Sequence, residues 1–264
     1  MNYKERLSLN YSGLTPTDKI ITTAVIKQPE LFLTHTIQQV TDKINVSPAA
    51  MIRYVKKLGY RGFKEFILAL EAQEETADAT KEVSESDTLF TKVLETYMAS
   101  LERSRKRAYD SDLRQVANLI LDTPQVKAIG IGNSGLPAEQ LVYSLYTQGL
   151  FIEAVTSQTQ IYYLKEVLDA SYLLIIYTVS GIDDYYREII ENANRVGAKT
   201  VVITLNPESQ AAELATIELI LPNGQAQISE NGSLYQVDNR ILFFVLSESI
   251  AYYVKNELDQ RRAK

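Results

Sequence analysis

The sequence predicts an all-α head followed by an α/β domain with a five-stranded parallel sheet flanked by helices. Three observations predict it. Residues 36–62, TIQQVTDKINVSPAAMIRYVKKLGYRG, read as two short helices joined by a tight turn. Past Pro124 the rhythm changes, and apolar runs of strand length alternate with helical patterns. The charge is uneven as well: residues 1–72 hold ten Lys and Arg against six Asp and Glu, a net of +4, while the remainder holds seventeen against twenty-seven, a net of −10. The expected division is a head over residues 1–72, a connector over 73–88 and the α/β domain over 89–264.

Composition sets the outer bounds. A chain of 264 residues that is 45% hydrophobic can bury a proper core, and its length favours two domains. Cysteine is absent, which excludes disulfides and thiolate zinc sites. No apolar run has the length to span a bilayer, and MNYKERLSLNYSG lacks the apolar core of a signal peptide. These features suit a cytoplasmic protein with no membrane partner.

In order along the chain, Thr15 before Pro16 caps a helix over about 17–27, with Ile20, Ile21, Ala24 and Val25 inward. Pro29 ends it, and a short turn over 30–33 is expected. Ile37, Val40 and Ile44 repeat at helical spacing. Asn45 suits the left-handed end of that helix, Ser47 the next N-cap and Pro48 the first helical position. In the second helix Met51, Ile52, Val55 and Leu58 are expected inward and Ala50, Arg53, Tyr54 and Lys57 on the other side, with Gly59 as the stop. From 51 to 64 the basic residues Arg53, Lys56, Lys57, Arg61 and Lys64 occur with no acid among them. That is the footprint of a helix lying in a DNA major groove, and a solvated basic face is the alternative.

Phe63, Phe66, Ile67 and Leu70 predict a bracing helix. His35, the sole histidine, is read as support for a helix start. Residues 73–87 are polar and acidic, as a connector would be. A long helix over 89–109 ends in Arg103, Arg105, Lys106 and Arg107, which complement the helix dipole or form a second DNA contact. Another covers 112–121. Strands are expected over 126–131, 150–155, 172–177, 199–204 and 217–221, and helices over 138–148, 160–168, 184–196, 208–214 and 234–258. A parallel sheet of this kind takes ligands beyond the C-terminal ends of its strands, at helix N-termini.

Two strand-to-helix loops have the chemistry for an anion. Gly130-Ile131-Gly132-Asn133-Ser134-Gly135 offers small residues, backbone N–H groups and a hydroxyl. Thr178-Val179-Ser180-Gly181-Ile182-Asp183 repeats the arrangement on an adjacent strand. The first is not a dinucleotide fingerprint, because no acid ends the second strand at the ribose position.

The run Val46-Ser47-Pro48-Ala49-Ala50-Met51-Ile52-Arg53-Tyr54-Val55-Lys56-Lys57-Leu58-Gly59-Tyr60-Arg61-Gly62-Phe63 resembles the helix-turn-helix of RpiR/MurR transcription regulators, V-S-x-A-T-V-x-R-F-x-x-K-L-G-F-x-G-[FY]. Leu14-Thr15-Pro16-Thr17-Asp18-Lys19-Ile20 resembles that family's opening L-[ST]-x-x-[ED]-x-x-I. Ala50 stands where the family carries Thr. The two loops resemble those of the sugar isomerase (SIS) domain that follows in the same family, G-x-G-x-S and S-x-S-G-x-T. Asp183 replaces the closing Thr there, which either caps the next helix or marks a changed or lost ligand.

The resemblance implies a DNA-binding regulator of carbohydrate metabolism whose SIS domain senses a phosphorylated sugar and forms a homodimer or tetramer. The alternatives are a SIS domain that only dimerises or takes another ligand, and a phosphosugar isomerase. Operator DNA is expected to meet Ser47, Ala50, Arg53, Tyr54, Lys56, Lys57, Arg61 and Lys64. The effector is expected at Gly132, Asn133, Ser134, Thr178, Ser180, Gly181 and Asp183. No catalytic residue, metal or cofactor is expected.

Overall fold

Local sequence signals decide where the first helices begin. The computed structural model describes residues 1–74, 88–224, 227–228 and 234–263. It opens with α1 (Tyr3–Asn10), α2 (Pro16–Lys27), α3 (Pro29–Thr34), α4 (Ile37–Lys43), α5 (Pro48–Lys57) and α6 (Phe63–Glu74). Asn2, Thr15 and Thr36 form capping boxes with Glu5, Asp18 and Gln39, each satisfying two orphan backbone donors. Asn45, at φ +53°, makes the left-handed turn between α4 and α5. The expected turn over 30–33 is instead helix α3: Pro29 occupies a first-turn position that needs no N–H, and Phe32 is fully buried.

The chain divides into two compact units, Met1–Thr96 with Asn223–Asp238, and Tyr97–Pro222 with Asn239–Lys264. The expected bounds differ in two stretches assigned to the α/β domain, 89–96 and 223–238, which both group with the head. Most of the expected connector over 73–88 lies outside the described residues.

The first unit is built around Phe66, whose ring meets those of Tyr3, Phe32, Tyr54, Tyr60 and Phe63 at centroid distances from 5.4 to 6.4 Å. The returning segment pairs Gln227–Ile228 with Leu234–Tyr235 in a short antiparallel ladder. Asn223 Nδ2 donates to Glu5 O at 2.8 Å, and Tyr11 Oη donates to Leu234 O at 3.1 Å. The closing helix expected from 234 therefore starts later, at Ile241.

The second unit contains α8 (Asp110–Asp122), β1 (Gln125–Gly130), α9 (Gly135–Tyr146), β2 (Glu153–Val155), α10 (Gln158–Val167), β3 (Tyr172–Thr178), α11 (Asp184–Val196), β4 (Lys199–Thr204), α12 (Gln210–Glu213), β5 (Ile217–Ile220) and α13 (Ile241–Ala263). α7 (Leu89–Arg105) gives residues to both units. The sheet order is β2-β1-β3-β4-β5, and its four pairings are all parallel. Both faces are covered, which is why β1, β3 and β4 read as continuous apolar runs. Ile129, Leu174, Ile176 and Val202 pack with Ile161 of α10, Ile189 of α11 and Ala211 of α12. On the opposite face Tyr177 meets Phe243 of α13 at 5.7 Å and shares a 2.7 Å hydrogen bond with Ser247.

Arg107, of the basic cluster at the end of α7, has a structural use. Arg107 Nη1 and Tyr109 Oη both donate to Ile220 O, at 2.6 and 2.7 Å, anchoring the chain to the end of β5.

Candidate functional site

The head presents its cations from α5 and the turn after it. Ser47 Oγ accepts the Ala50 N–H at 3.1 Å and holds the first turn. Arg53, Lys56, Arg61 and Lys64 are all exposed. Among the described residues none of these four side chains is held in an ion pair, so their charge faces outward at the end of a helix whose opposite side is core.

Three residues expected on that face are placed otherwise. Tyr54 is fully buried: its hydroxyl lies 2.8 Å from Tyr3 Oη and 2.9 Å from Thr22 Oγ1, and burial pushes its phenol well above the ordinary range. A ring large enough to fill the head turns inward, and its hydroxyl is satisfied there by two partners. Ala50 is buried against the same core. Lys57, although exposed, donates from Nζ to Asp18 at 2.5 Å and to Gly13 O at 3.1 Å, so its charge is already paired. Ile52, expected inward, is half-buried, while Met51, Val55 and Leu58 are buried. The helix is rolled so that Arg53 and Lys56 point out and Tyr54 points in, while exposed Lys57 is tied to Asp18.

In the second unit β1 and β3 are adjacent, in register from Gln125↔Tyr172 to Gly130↔Tyr177. The chain runs outward in opposite directions from this pair, since β2 lies beyond β1 and β4 beyond β3. Their C-terminal ends form the crevice where open parallel sheets hold ligands. Both candidate loops start there.

The β1 loop is a 3-10 turn over Gly132–Ser134 that runs directly into α9. A side chain at Gly130 would meet Ser134 O at 2.1 Å, so only glycine lets the turn fold back on the strand end. Ser134 is buried, while Gly132 and Asn133 are exposed. The Ile131 N–H donates to Tyr186 Oη of α11 at 3.1 Å.

The β3 loop is held shut by its neighbour. Thr178 Oγ1, buried, accepts the Gly181 N–H at 3.0 Å, and Asn206 Nδ2 donates to Ser180 O at 2.6 Å. Gly181 has φ +62°, and a side chain there would meet Ser209 Oγ at 1.9 Å. Among the described residues the half-buried Ser180 side chain makes no hydrogen bond, and its hydroxyl is the one this loop can offer. The motif thus divides: Thr178 and Gly181 shape the loop, and Ser180 is available to a ligand. Asn206 and Ser209, which do the clamping, were missed in the sequence because nothing marks a 26- or 28-residue separation as a contact.

Asp183 is the N-cap of α11 by backbone position, yet its side chain makes no capping hydrogen bond. Burial, and then the charge and hydrogen bonding of this carboxylate, push the Tyr185 phenol up to about 12. The Asp183 carboxylate thus acts on the Tyr185 phenol and does not cap the helix. Among the described residues no cluster of acids and histidine could hold a metal, and no helix is long and apolar enough to cross a membrane.

Residues 1–77 match the helix-turn-helix domain of the rpiR family. An uncharacterized HTH-type transcriptional regulator of Haemophilus influenzae is 25% identical over 268 residues, spanning 98% of this chain and 92% of that protein. Among solved structures, the Vibrio vulnificus NanR protein complexed with ManNAc-6P superposes with a TM-score of 0.59 at 15% identity, covering 98% of this chain and 93% of that one. The sugar isomerase domain of the RpiR transcription factor from Sphaerobacter thermophilus gives 0.56 at 16%, over 66% of this chain and 94% of that domain. At these identities the likeness to solved structures is one of fold: a helical head, then a parallel sheet flanked by helices of the sugar isomerase type.

Proposed function

With its first 77 residues belonging to the rpiR-family helix-turn-helix domain, we propose that this chain is a transcriptional regulator of carbohydrate metabolism whose sugar isomerase domain senses a phosphorylated sugar. The observation that carries the reading is the joining, in one chain, of a head with outward Arg53, Lys56, Arg61 and Lys64 to two hydroxyl-bearing loops at the β1/β3 crevice. Arg53 and Lys56 on α5, with Arg61 and Lys64 after it, meet operator DNA, and Ser47 presents a hydroxyl to its backbone. Ser134 and Ser180 with the backbone N–H groups of Gly132 and Asn133 meet the phosphate. The sugar phosphate bound by NanR supports the choice of effector class.

Two heads are needed to read symmetric half-sites, which makes the working form a homodimer acting in the cytoplasm, where operator DNA lies. A face of α9 and α13 with exposed Tyr143, Val245 and Tyr252, beside a groove of about 1200 Å³, supports a second copy as the partner. Catalysis is disfavoured by chemistry: the α/β domain contains no histidine, and isomerisation requires a base and an acid at the sugar carbons. Asp183 favours a second reading, a domain that dimerises or takes an uncharged ligand, since a carboxylate beside a phosphate is repulsive.

Thermal unfolding with hexose, pentose and amino-sugar phosphates, each beside its unphosphorylated sugar, tests the choice. A ligand at a hundred times its dissociation constant stabilises the fold by about 2.7 kcal/mol, which moves the midpoint by several degrees. The reading expects a rise with at least one phosphorylated sugar that disappears in Ser180→Ala. A rise only with the unphosphorylated sugars would favour the second reading.

A further inference from the structure

The sole histidine sits in a hydrogen-bond chain that fixes its proton. Thr34 Oγ1 donates to Glu30 O at 2.6 Å. With that proton committed, the hydroxyl oxygen accepts from His35 Nδ1, 2.8 Å away. His35 Nε2 is left as a lone pair, and Lys43 Nζ donates to it at 2.8 Å. The imidazole is therefore neutral, with its proton on Nδ1, and it accepts from a cation. A second proton, on Nε2, would set N–H against the ammonium, and no carboxylate is there to hold the two together. Asp42, the acid of α4, accepts from Gln38 at 3.1 Å, and Glu30, the acid of α3, takes part through its backbone carbonyl. The helices α2, α5 and α6 pack on α3 and α4 and bring no charged group to the imidazole among the described residues.

His35 precedes α4 and Lys43 ends it, and α4 is the helix that the Asn45 turn joins to α5. When α5 enters a major groove, the helix before it crosses the flanking phosphate backbone. We propose that His35 and Lys43 form a proton-coupled contact for a DNA backbone phosphate, outside the reading face of α5. The proposal rests on the DNA-binding reading of the head and adds a site to it. A phosphate oxygen entering between Nε2 and Nζ takes over the Lys43 hydrogen bond. His35 Nε2 then takes one proton from solvent and donates it in a hydrogen bond to the same phosphate. The DNA-bound head thus holds a proton that the free head lacks, so affinity for DNA rises as the pH falls. The window is pH 8 to 6, where histidine is the side chain that titrates, and this chain has one.

The test uses duplex DNA selected by the full chain from a random pool. It is titrated by fluorescence anisotropy at pH 6, 7 and 8 and constant ionic strength, with wild type, His35→Gln and Lys43→Met. Each protein is also melted at the same pH values. Wild type should bind about fivefold more tightly at pH 6 than at pH 8, as uptake of one proton allows, and the rise should be absent from His35→Gln. Lys43→Met should lower the salt slope of DNA binding by about 1 at pH 7. A purely structural histidine predicts the reverse, a lower melting midpoint in His35→Gln with the pH profile of DNA binding kept, and that result overturns the proposal. A flat profile in wild type removes this contact and leaves DNA binding by α5 standing. Failure of wild type to select or bind any duplex removes both.

Discussion

The head and the β1/β3 crevice present polar chemistry by opposite means. In the head, long cationic side chains stand on the outside of α5, while a buried hydroxyl pair and an ion pair hold the helix from within. In the crevice the backbone itself is the binding surface. It is shaped by approaches so close that glycine is required at 130 and 181. A surface of long side chains can lose one member and keep its shape. A loop defined by backbone contacts cannot take even a methyl group, so the two regions should respond to substitution very differently.

The largest effect should come from Gly130→Ala, whose added Cβ would sit 2.1 Å from Ser134 O. That neighbour is backbone and cannot swing aside, so a loss of about 3 kcal/mol is expected, at the upper end of overpacking costs, with the sugar-phosphate response gone. Chemical denaturation of the full chain measures it, and a wild-type midpoint would show that the loop is not backed against the strand. Arg53→Ala should next cost about 2 kcal/mol of discrimination between operator and unrelated DNA, with no change in folding. Equal discrimination by the mutant would move the reading face off this side of α5.

Tyr54→Phe tests the inside of the same helix. It leaves the Tyr3 and Thr22 hydroxyls without their shared partner, at a cost of about 1–2 kcal/mol in the stability of the head. DNA affinity should follow only through the folded fraction. The adjacent lysines give a finer contrast, read in salt titrations of DNA binding. Lys56→Ala should lower the salt slope by about 1, while Lys57→Ala should leave the slope unchanged because Asp18 already holds that charge.

The smallest effect is the pH dependence of that ion pair. Burial alone would raise the Asp18 carboxyl, but hydrogen bonds from Lys57 and Thr15 outweigh it and hold the group below its ordinary 3.8. A folded value below the unfolded one means that the stabilisation is present above 3.8 and is lost as the pH falls through the lower folded value. The difference between wild type and Asp18→Asn should therefore shrink in acid. Half-exposed Lys57 screens the pair, so the change should remain below about 1 kcal/mol.

This contrast also explains which parts were legible in advance. The strands were, because a sheet covered on both faces writes itself as unbroken apolar runs such as Tyr172–Thr178. The two loops were, because close backbone approach demands glycine and leaves a mark in the sequence. The roll of α5 was not: Tyr54 and Lys57 share the spacing of Arg53, and only the fit of a large ring among Tyr3, Phe32 and Phe66 decides which way they turn. Residues 223–238 gave no signal either, because two-residue strands are too short to show alternation.

The central claim is that a phosphorylated sugar, bound at the β1/β3 crevice, changes the affinity of the head for DNA. The most direct test selects preferred DNA from a random pool with the full chain, then titrates that DNA by fluorescence anisotropy with and without the sugar phosphate that raises the unfolding midpoint. The account predicts a change in DNA affinity of about fivefold or more in wild type and none in Ser180→Ala, which should bind the DNA normally without effector. An identical DNA affinity with and without that sugar phosphate in wild type would contradict it, since a ligand with no preference between DNA-bound and free protein regulates nothing.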